Sequence, residues 1–106
     1  MAVDESLVRE IVSRILTVAT PDKIILFGSA VMGQMTGDSD IDILVVENNP
    51  GDRRRKSVQI DETLSGLGYP FDVIVISTDW FETSKNIIGG IAFPANKYGK
   101  IVYDVA

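Results

Sequence analysis

The chain has 106 residues, of which 45% are apolar, so it is long enough for one compact domain and is not expected to be disordered. Its net charge of −5 argues against a protein that binds duplex nucleic acid, because such proteins normally carry a basic surface. The absence of cysteine and histidine excludes disulfides and the commonest general base. Any catalysis must therefore use carboxylates, hydroxyls, lysine, arginine, tyrosine or a hard metal ion.

No apolar run reaches the length of a membrane span, and the N-terminal residues do not resemble a signal peptide. We therefore expect a cytoplasmic protein without a membrane partner. Because the sequence contains no internal repeat or linker, residues 1–106 are predicted to form a single domain, with oligomerisation left open.

Hydrophobic periodicity and turn residues define the elements. In chain order the predicted elements are a helix from the N-cap Asp4 to Leu16, a strand over 23–27, a helical turn and loop over 30–39, a strand over 40–46, a helix over 53–67, a strand over 71–77, one or two helices over 79–98, and a short strand over 100–103. Gly89, Gly90 and Pro94 are expected to disturb the last helical segment.

This alternation predicts an α/β fold with a small mixed β-sheet of about four strands flanked by helices. The short connection over 29–39 allows the first two strands to pair antiparallel. The helical crossover from the second strand to the third favours parallel pairing. In that arrangement Gly28-Ser29, Asp40 and Asp72 meet at one edge of the sheet.

Aspartates at the starts of two strands are the most informative feature. Asp40 and Asp42 are two residues apart, so in a strand both side chains point to one face, and Asp72 begins the next strand. Aspartate is depleted in strands, and carboxylate oxygens suit Mg²⁺ and its bound phosphates. An Asp-x-Asp pair alone is weak evidence for a metal site, since about one such pair is expected by chance in this sequence. A solvated strand start would also explain it. The ordered set with Gly28 and Ser29, which could approach a phosphate, is far more specific.

The run Phe27-Gly28-Ser29, ten residues, then Asp40-Ile41-Asp42 resembles the Gly-Ser…Asp-x-Asp motif of the DNA polymerase β-like nucleotidyltransferase superfamily. More closely, most of the chain resembles the minimal nucleotidyltransferases of prokaryotes, which are usually encoded beside a helical HEPN protein. The resemblance implies that Asp40, Asp42 and Asp72 bind metal, two Mg²⁺ ions being expected, and act in catalysis. It also implies that Gly28 and Ser29 hold the β- and γ-phosphates of ATP.

The function implied by this resemblance is that of an antitoxin. Such a protein would be an Mg²⁺-dependent adenylyltransferase that moves AMP from ATP to a hydroxyl, with tyrosine expected, of a HEPN toxin. Two alternatives stay open: adenylylation of a small molecule such as an aminoglycoside, and a non-catalytic antitoxin that binds and occludes its partner. One departure bears on activity, because relatives often carry arginine where this chain has Met32, before Gly33.

Two further features have competing interpretations. The basic run Arg53-Arg54-Arg55-Lys56 is either a solvated helix start or a surface that attracts triphosphate or an acidic partner. Trp80 and Phe81 are expected to pack on the sheet. Both sheet faces are apolar, so they are covered either by the chain's own helices or in part by a partner.

Overall fold

The computed structural model describes residues 4–28, 31 and 40–105. Its elements follow in the order α1 (Glu5–Ile15), β1 (Lys23–Phe27), β2 (Ile41–Glu47), α2 (Arg53–Thr63), β3 (Phe71–Ser77), α3 (Thr78–Ser84), α4 (Ala92–Tyr98) and β4 (Lys100–Asp104). The predicted α/β fold is confirmed. The turn and loop predicted over 30–39 lie outside the described residues except for Val31.

The four strands form one mixed sheet in the order β3-β2-β1-β4. β1 pairs antiparallel with β2 and with β4, whereas β2 and β3 are parallel. Both predicted strand relations are therefore confirmed, and the end of β1 lies beside the starts of β2 and β3. Across the described ranges, no helix combines the length and hydropathy that a membrane span requires.

Helices cover both faces of the sheet. Because successive side chains of a strand point to opposite faces, the strands supply apolar residues to a buried cluster on each side. On one face, Ile43 and Val45 of β2 pack with Ile11 and Ile15 of α1 and with Ile60 of α2. The other face packs against α3 and α4 through a second cluster, whose buried members are Ile25, Leu44, Val46, Ile76, Phe81, Ala92 and Ala95. The chain's own helices therefore cover the centre of both faces.

The helix predicted over 53–67 ends four residues early, at Thr63, and has Leu64 as its C-cap. The guanidinium of Arg14 on α1 binds the backbone at this end. Its Nη1 donates to the carbonyl oxygens of Thr63 (3.1 Å) and Ser65 (3.0 Å), which lack a helical partner at a C-terminus. Gly66 then adopts a φ of 90°, which takes the chain out of the helix.

The segment predicted as one or two helices over 79–98 forms two, α3 and α4. Gly89 and Gly90 lie between them, as expected. Pro94 does not disturb α4, because it lies in the first turn, where no N–H needs a helical acceptor. Phe81 packs on the sheet as predicted, but Trp80 does not. Its side chain is 55% exposed, because only one of two adjacent residues can face the sheet from α3.

Glu47 at the end of β2 is the one buried charged residue among those described, with 3% exposure. Its Oε1 accepts hydrogen bonds from the Thr20 N–H (2.8 Å) and the Thr20 hydroxyl (3.2 Å). Its Oε2 lies 3.8 Å from Nζ of Lys56 on α2. One carboxylate thus ties the turn before β1, the end of β2 and the start of α2 together.

We predict that Glu47→Ala lowers the free energy of unfolding by about 2–4 kcal/mol, because it removes the acceptor of the part-buried Thr20 amide and the carboxylate that faces the Lys56 ammonium. Glu47→Gln, which keeps the Oε1 acceptor but loses the charge, should fall between wild type and Glu47→Ala. Urea denaturation measures both. Glu62→Ala, at an exposed position of α2, is the control, and equal midpoints for Glu47→Ala and this control would refute the prediction.

Candidate functional site

The strand register places two of the predicted carboxylates side by side. Asp42 of β2 is the Cα partner of Asp72 in β3, and on its other side it is paired with Phe27 of β1. Neighbouring strands are about 4.8 Å apart, and residues that are directly paired point to the same face. Phe27, Asp42 and Asp72 therefore form a row across one face of the sheet, at the end where β1 stops.

Asp40 lies one residue before β2, which begins at Ile41 rather than at residue 40 as predicted. The prediction that Asp40 and Asp42 point to the same face assumes that both lie in the strand. Because Asp40 lies outside β2, strand alternation does not determine where its side chain points. Asp40 and Asp72 are exposed, whereas Asp42 is half-buried. The site thus consists of one inner carboxylate, Asp42, with the more accessible Asp72 beside it in β3 and the more accessible Asp40 just before β2.

Gly28 packs directly against the inner carboxylate. It has a φ of 72°, and its carbonyl oxygen accepts a hydrogen bond from the Val31 N–H (3.2 Å), which starts a turn after β1. A Cβ built on Gly28 would overlap Oδ2 of Asp42. Glycine is therefore required here both by the backbone conformation and by the close approach of the carboxylate.

The environment of Asp42 raises the pKa of its carboxyl above the ordinary value. The largest cause is desolvation by burial, followed by the negative charges of Asp72 and of Asp40. Asp72 and Asp40 are thus close enough to Asp42 to disfavour its ionised form. A cation or a proton at this position would relieve that repulsion.

The donors fit a hard divalent ion, because carboxylate oxygens are the ligands that Mg²⁺ takes. Within the described ranges, however, no three acidic side chains converge closely enough to hold an ion by themselves. Mg²⁺ is usually bound by one or two carboxylates together with waters and substrate phosphates, so a complete protein cage is not needed. The arrangement therefore suits an ion that arrives with a phosphate ligand.

Other predicted features lie elsewhere. Ser29 and Met32 fall outside the described residues. The basic run begins α2, next to the end of β2 that is opposite to Asp42, and its Lys56 faces Glu47. The alternative in which this run attracts a triphosphate to the aspartates is therefore not supported, whereas a solvated helix start or a surface for an acidic partner stays open.

An apolar cavity beside Gly28 was not predicted. Phe27, Gly28, Pro94 and Tyr98 line a volume of about 320 Å³ next to the carboxylate row. Phe27 and Gly28 lie more than sixty positions from Pro94 and Tyr98 in sequence, and only the packing of α4 on β1 brings the two pairs together. Proline and tyrosine near the C-terminus gave no separate signal of a site.

Comparisons with known proteins agree with this geometry. The sequence profile of the family described as nucleotidyltransferase domain matches residues 5–93. No curated protein sequence matches the chain significantly. Among solved structures, the fold is similar to that of a chain in the crystal structure of a toxin-antitoxin with AMP-PNP, with a TM-score of 0.73 and 20% identity over 92% of this chain and 73% of that chain. It is also similar to a protein from Sulfolobus solfataricus assigned as a nucleotidyltransferase, with a TM-score of 0.62 and 19% identity over 94% and 79%.

We predict that Gly28→Ala destabilises the fold by more than the about 1–2 kcal/mol that a left-handed conformation costs an L-residue. Gly51→Ala is a matched control, because Gly51 has a φ of 70° but a Cβ there meets nothing within 4 Å. Adding Asp42→Ala to Gly28→Ala should restore part of the loss, since the Asp42 Cβ would lie 3.6 Å away, an ordinary contact. Denaturant unfolding of the four proteins tests this, and equal effects at Gly28 and Gly51 would contradict it.

A second prediction concerns pH. Because the folded state raises the pKa of Asp42, ionising this carboxyl costs stability, and the cost grows as pH rises through the raised pKa. Metal-free Asp42→Asn should therefore melt at a higher temperature than wild type near neutral pH. Below about pH 3, where aspartate is protonated in both states, the difference should disappear.

Thermal unfolding in a chelator at both pH values measures the difference, with Glu62→Gln as a surface control. A lower melting temperature for Asp42→Asn at neutral pH would show that this carboxylate stabilises the fold. Added Mg²⁺ should raise the melting temperature of the wild type more than that of the variant.

Proposed function

Because the chain belongs to the nucleotidyltransferase domain family, we propose that it transfers AMP from ATP, with Mg²⁺, to a hydroxyl group of a partner protein. The observation that supports this most is the row of Asp42 and Asp72 in adjacent strands, with Gly28 against the inner carboxylate. Carboxylates that repel one another beside a turn at a strand end are suited to a metal–triphosphate complex.

In this proposal each carboxylate has its own role. Asp40 and Asp42 hold the metal-bound triphosphate, and Gly28 and Ser29 hold its β- and γ-phosphates. Ser29 takes this role from the family resemblance, since it is outside the described residues. Bound Mg²⁺, with two ions expected, would supply charge stabilisation for the attacking and leaving oxygens.

Asp72 completes the metal site and assists the acceptor. The acceptor oxygen attacks the α-phosphorus, and a new P–O bond forms as the bond from the α-phosphorus to the bridging oxygen breaks. Pyrophosphate leaves with that electron pair, and the hydroxyl proton passes to Asp72 and on to solvent. Asp72 is suited to this step because it is exposed, whereas Asp42 is half-buried behind the Gly28 turn.

The proposed acceptor is a tyrosine of a HEPN toxin, which the chain would silence as an antitoxin in the cytoplasm. Two observations support a protein acceptor. The structural neighbour is described as a toxin-antitoxin with AMP-PNP. The carboxylate row also ends at Asp72, which is exposed on an outer strand and open to a second molecule.

A second candidate is a non-catalytic antitoxin that occludes its partner. It is favoured by Met32, which stands where relatives often carry arginine, so that a cation able to touch phosphate is missing at this position. ATP turnover distinguishes this candidate from the first.

The test is to incubate the chain with a purified HEPN protein as candidate partner and Mg-ATP, and to weigh the intact HEPN protein by mass spectrometry. We expect a gain of one or more AMP units together with pyrophosphate release. Asp72→Asn should slow transfer by orders of magnitude while Mg-ATP still binds, because it loses a group used in the chemical step. The double variant Asp40→Asn with Asp42→Asn should abolish both AMP transfer and Mg-ATP binding. Glu62→Gln should change neither transfer nor binding.

Other outcomes would replace the proposal. A partner that is bound and inhibited without a change of mass would support occlusion. Adenylylation of an aminoglycoside in the absence of any protein acceptor would support the small-molecule alternative.

A further inference from the structure

The outer edge of β3 is an unpaired strand edge beside the candidate site. β3 is the last strand of the sheet on the side of Asp72. Its first half is the more open, because Asp72 is exposed and Phe71 and Val73 are half-buried, whereas Val75 and Ile76 are buried. A strand edge of this kind presents N–H and C=O groups that can pair with another chain.

The direction of these backbone groups follows from a hydrogen bond at the start of the strand. The Ile41 N–H donates to the Pro70 carbonyl oxygen (2.9 Å), so the backbone groups of residue 70 and, by alternation, of Asp72 point toward β2. The backbone groups of Phe71 and Val73 then point outward. They can bond an incoming strand without loss of any bond within the sheet.

A strand added at this edge would continue the row of Phe27, Asp42 and Asp72. Its residue opposite Asp72 would point to the same face, about 4.8 Å from Asp72 and about 10 Å from Asp42. The outer edge of β4 offers no such position, because β1 separates β4 from Asp42.

The residues adjacent to that position would point to the opposite face, where a cavity lies between α2 and β3. Its volume is about 230 Å³, and it is lined by Ser57, Val58, Asp61, Phe71, Asp72 and Val73. Val58 is 50% exposed and offers apolar surface. Asp61 is exposed and forms no ion pair with any other residue in the described part of the chain. A carboxylate close to the exposed side chain of Val58 suits the charge and the aliphatic stem of lysine or arginine.

From this geometry we propose that the acceptor binds as an extended segment added to the edge of β3, with its hydroxyl side chain beside Asp72 and an adjacent basic side chain in the cavity at Asp61. This rests on the proposed function, and it names the class of acceptor: a β-strand in which a hydroxyl residue is flanked by lysine or arginine. Main-chain bonds to Phe71 and Val73 supply binding, and the two side-chain positions supply specificity.

The experiment uses three short synthetic peptides that share a central tyrosine. In the first, lysine flanks the tyrosine on both sides. In the second, glutamate replaces the lysines. The third keeps the lysines but carries N-methylated amides that block strand pairing. Each peptide is incubated with Mg-ATP and the full chain, and AMP incorporation is measured by mass spectrometry.

We expect the first peptide to be modified at least tenfold faster than the other two. Val73→Pro should reduce this rate at least tenfold, because it removes an outward N–H, while Mg-ATP binding stays at the wild-type level. Proline is tolerated at such an edge position. Asp61→Lys should reverse the preference between the lysine and glutamate peptides, whereas the matched charge reversal Glu62→Lys should not.

Equal modification of the N-methylated peptide, or an unchanged peptide preference in Asp61→Lys, would overturn the inference even if Val73→Pro failed to fold. A chain that binds Mg-ATP but modifies none of the peptides would also overturn it and would leave the proposed nucleotidyl transfer standing. A chain that binds neither Mg-ATP nor Mg-tripolyphosphate would instead remove the proposed function itself.

Discussion

Partial burial of a carboxylate beside two others is the constraint on which the candidate site depends. Asp42 is half-buried, and its pKa is raised first by that burial and then by the negative charges of Asp72 and Asp40. Such an arrangement persists only if the surrounding structure compensates for its cost. Here the compensation comes from the paired strands β1, β2 and β3. Their apolar residues form two buried clusters next to the aspartates.

Polar contacts that lie away from the candidate site hold the sheet and its helices together. Arg14 satisfies carbonyl groups where α2 ends, and Glu47 joins the turn before β1 to α2. The first contact joins α2 to α1, and the second joins α2 to the sheet. The same helix α2 forms one wall of the cavity at Asp61.

The candidate site is open at the outer edge of β3. Helices cover both faces of the sheet, whereas the outer edge of β3 carries Asp72 and stays unpaired within the described chain. A metal–triphosphate complex would lie over the inner carboxylate, and a hydroxyl would arrive from the edge. The acceptor's own strand would then hold the hydroxyl in place, so that positioning contributes to the rate.

The sequence by itself determined the α/β class, β1 and β3, and both strand relations, because apolar runs, turn residues and connection lengths are local properties. It also identified Asp42 and Asp72 as candidates, and the strand register brings these two together. The tertiary structure decided what depends on distant residues. Arg14 binds the carbonyl groups at the end of α2, only Phe81 of the Trp80-Phe81 pair reaches the sheet, and α4 builds the cavity beside Gly28. These outcomes depend on contacts between elements far apart in the chain, which no local pattern encodes.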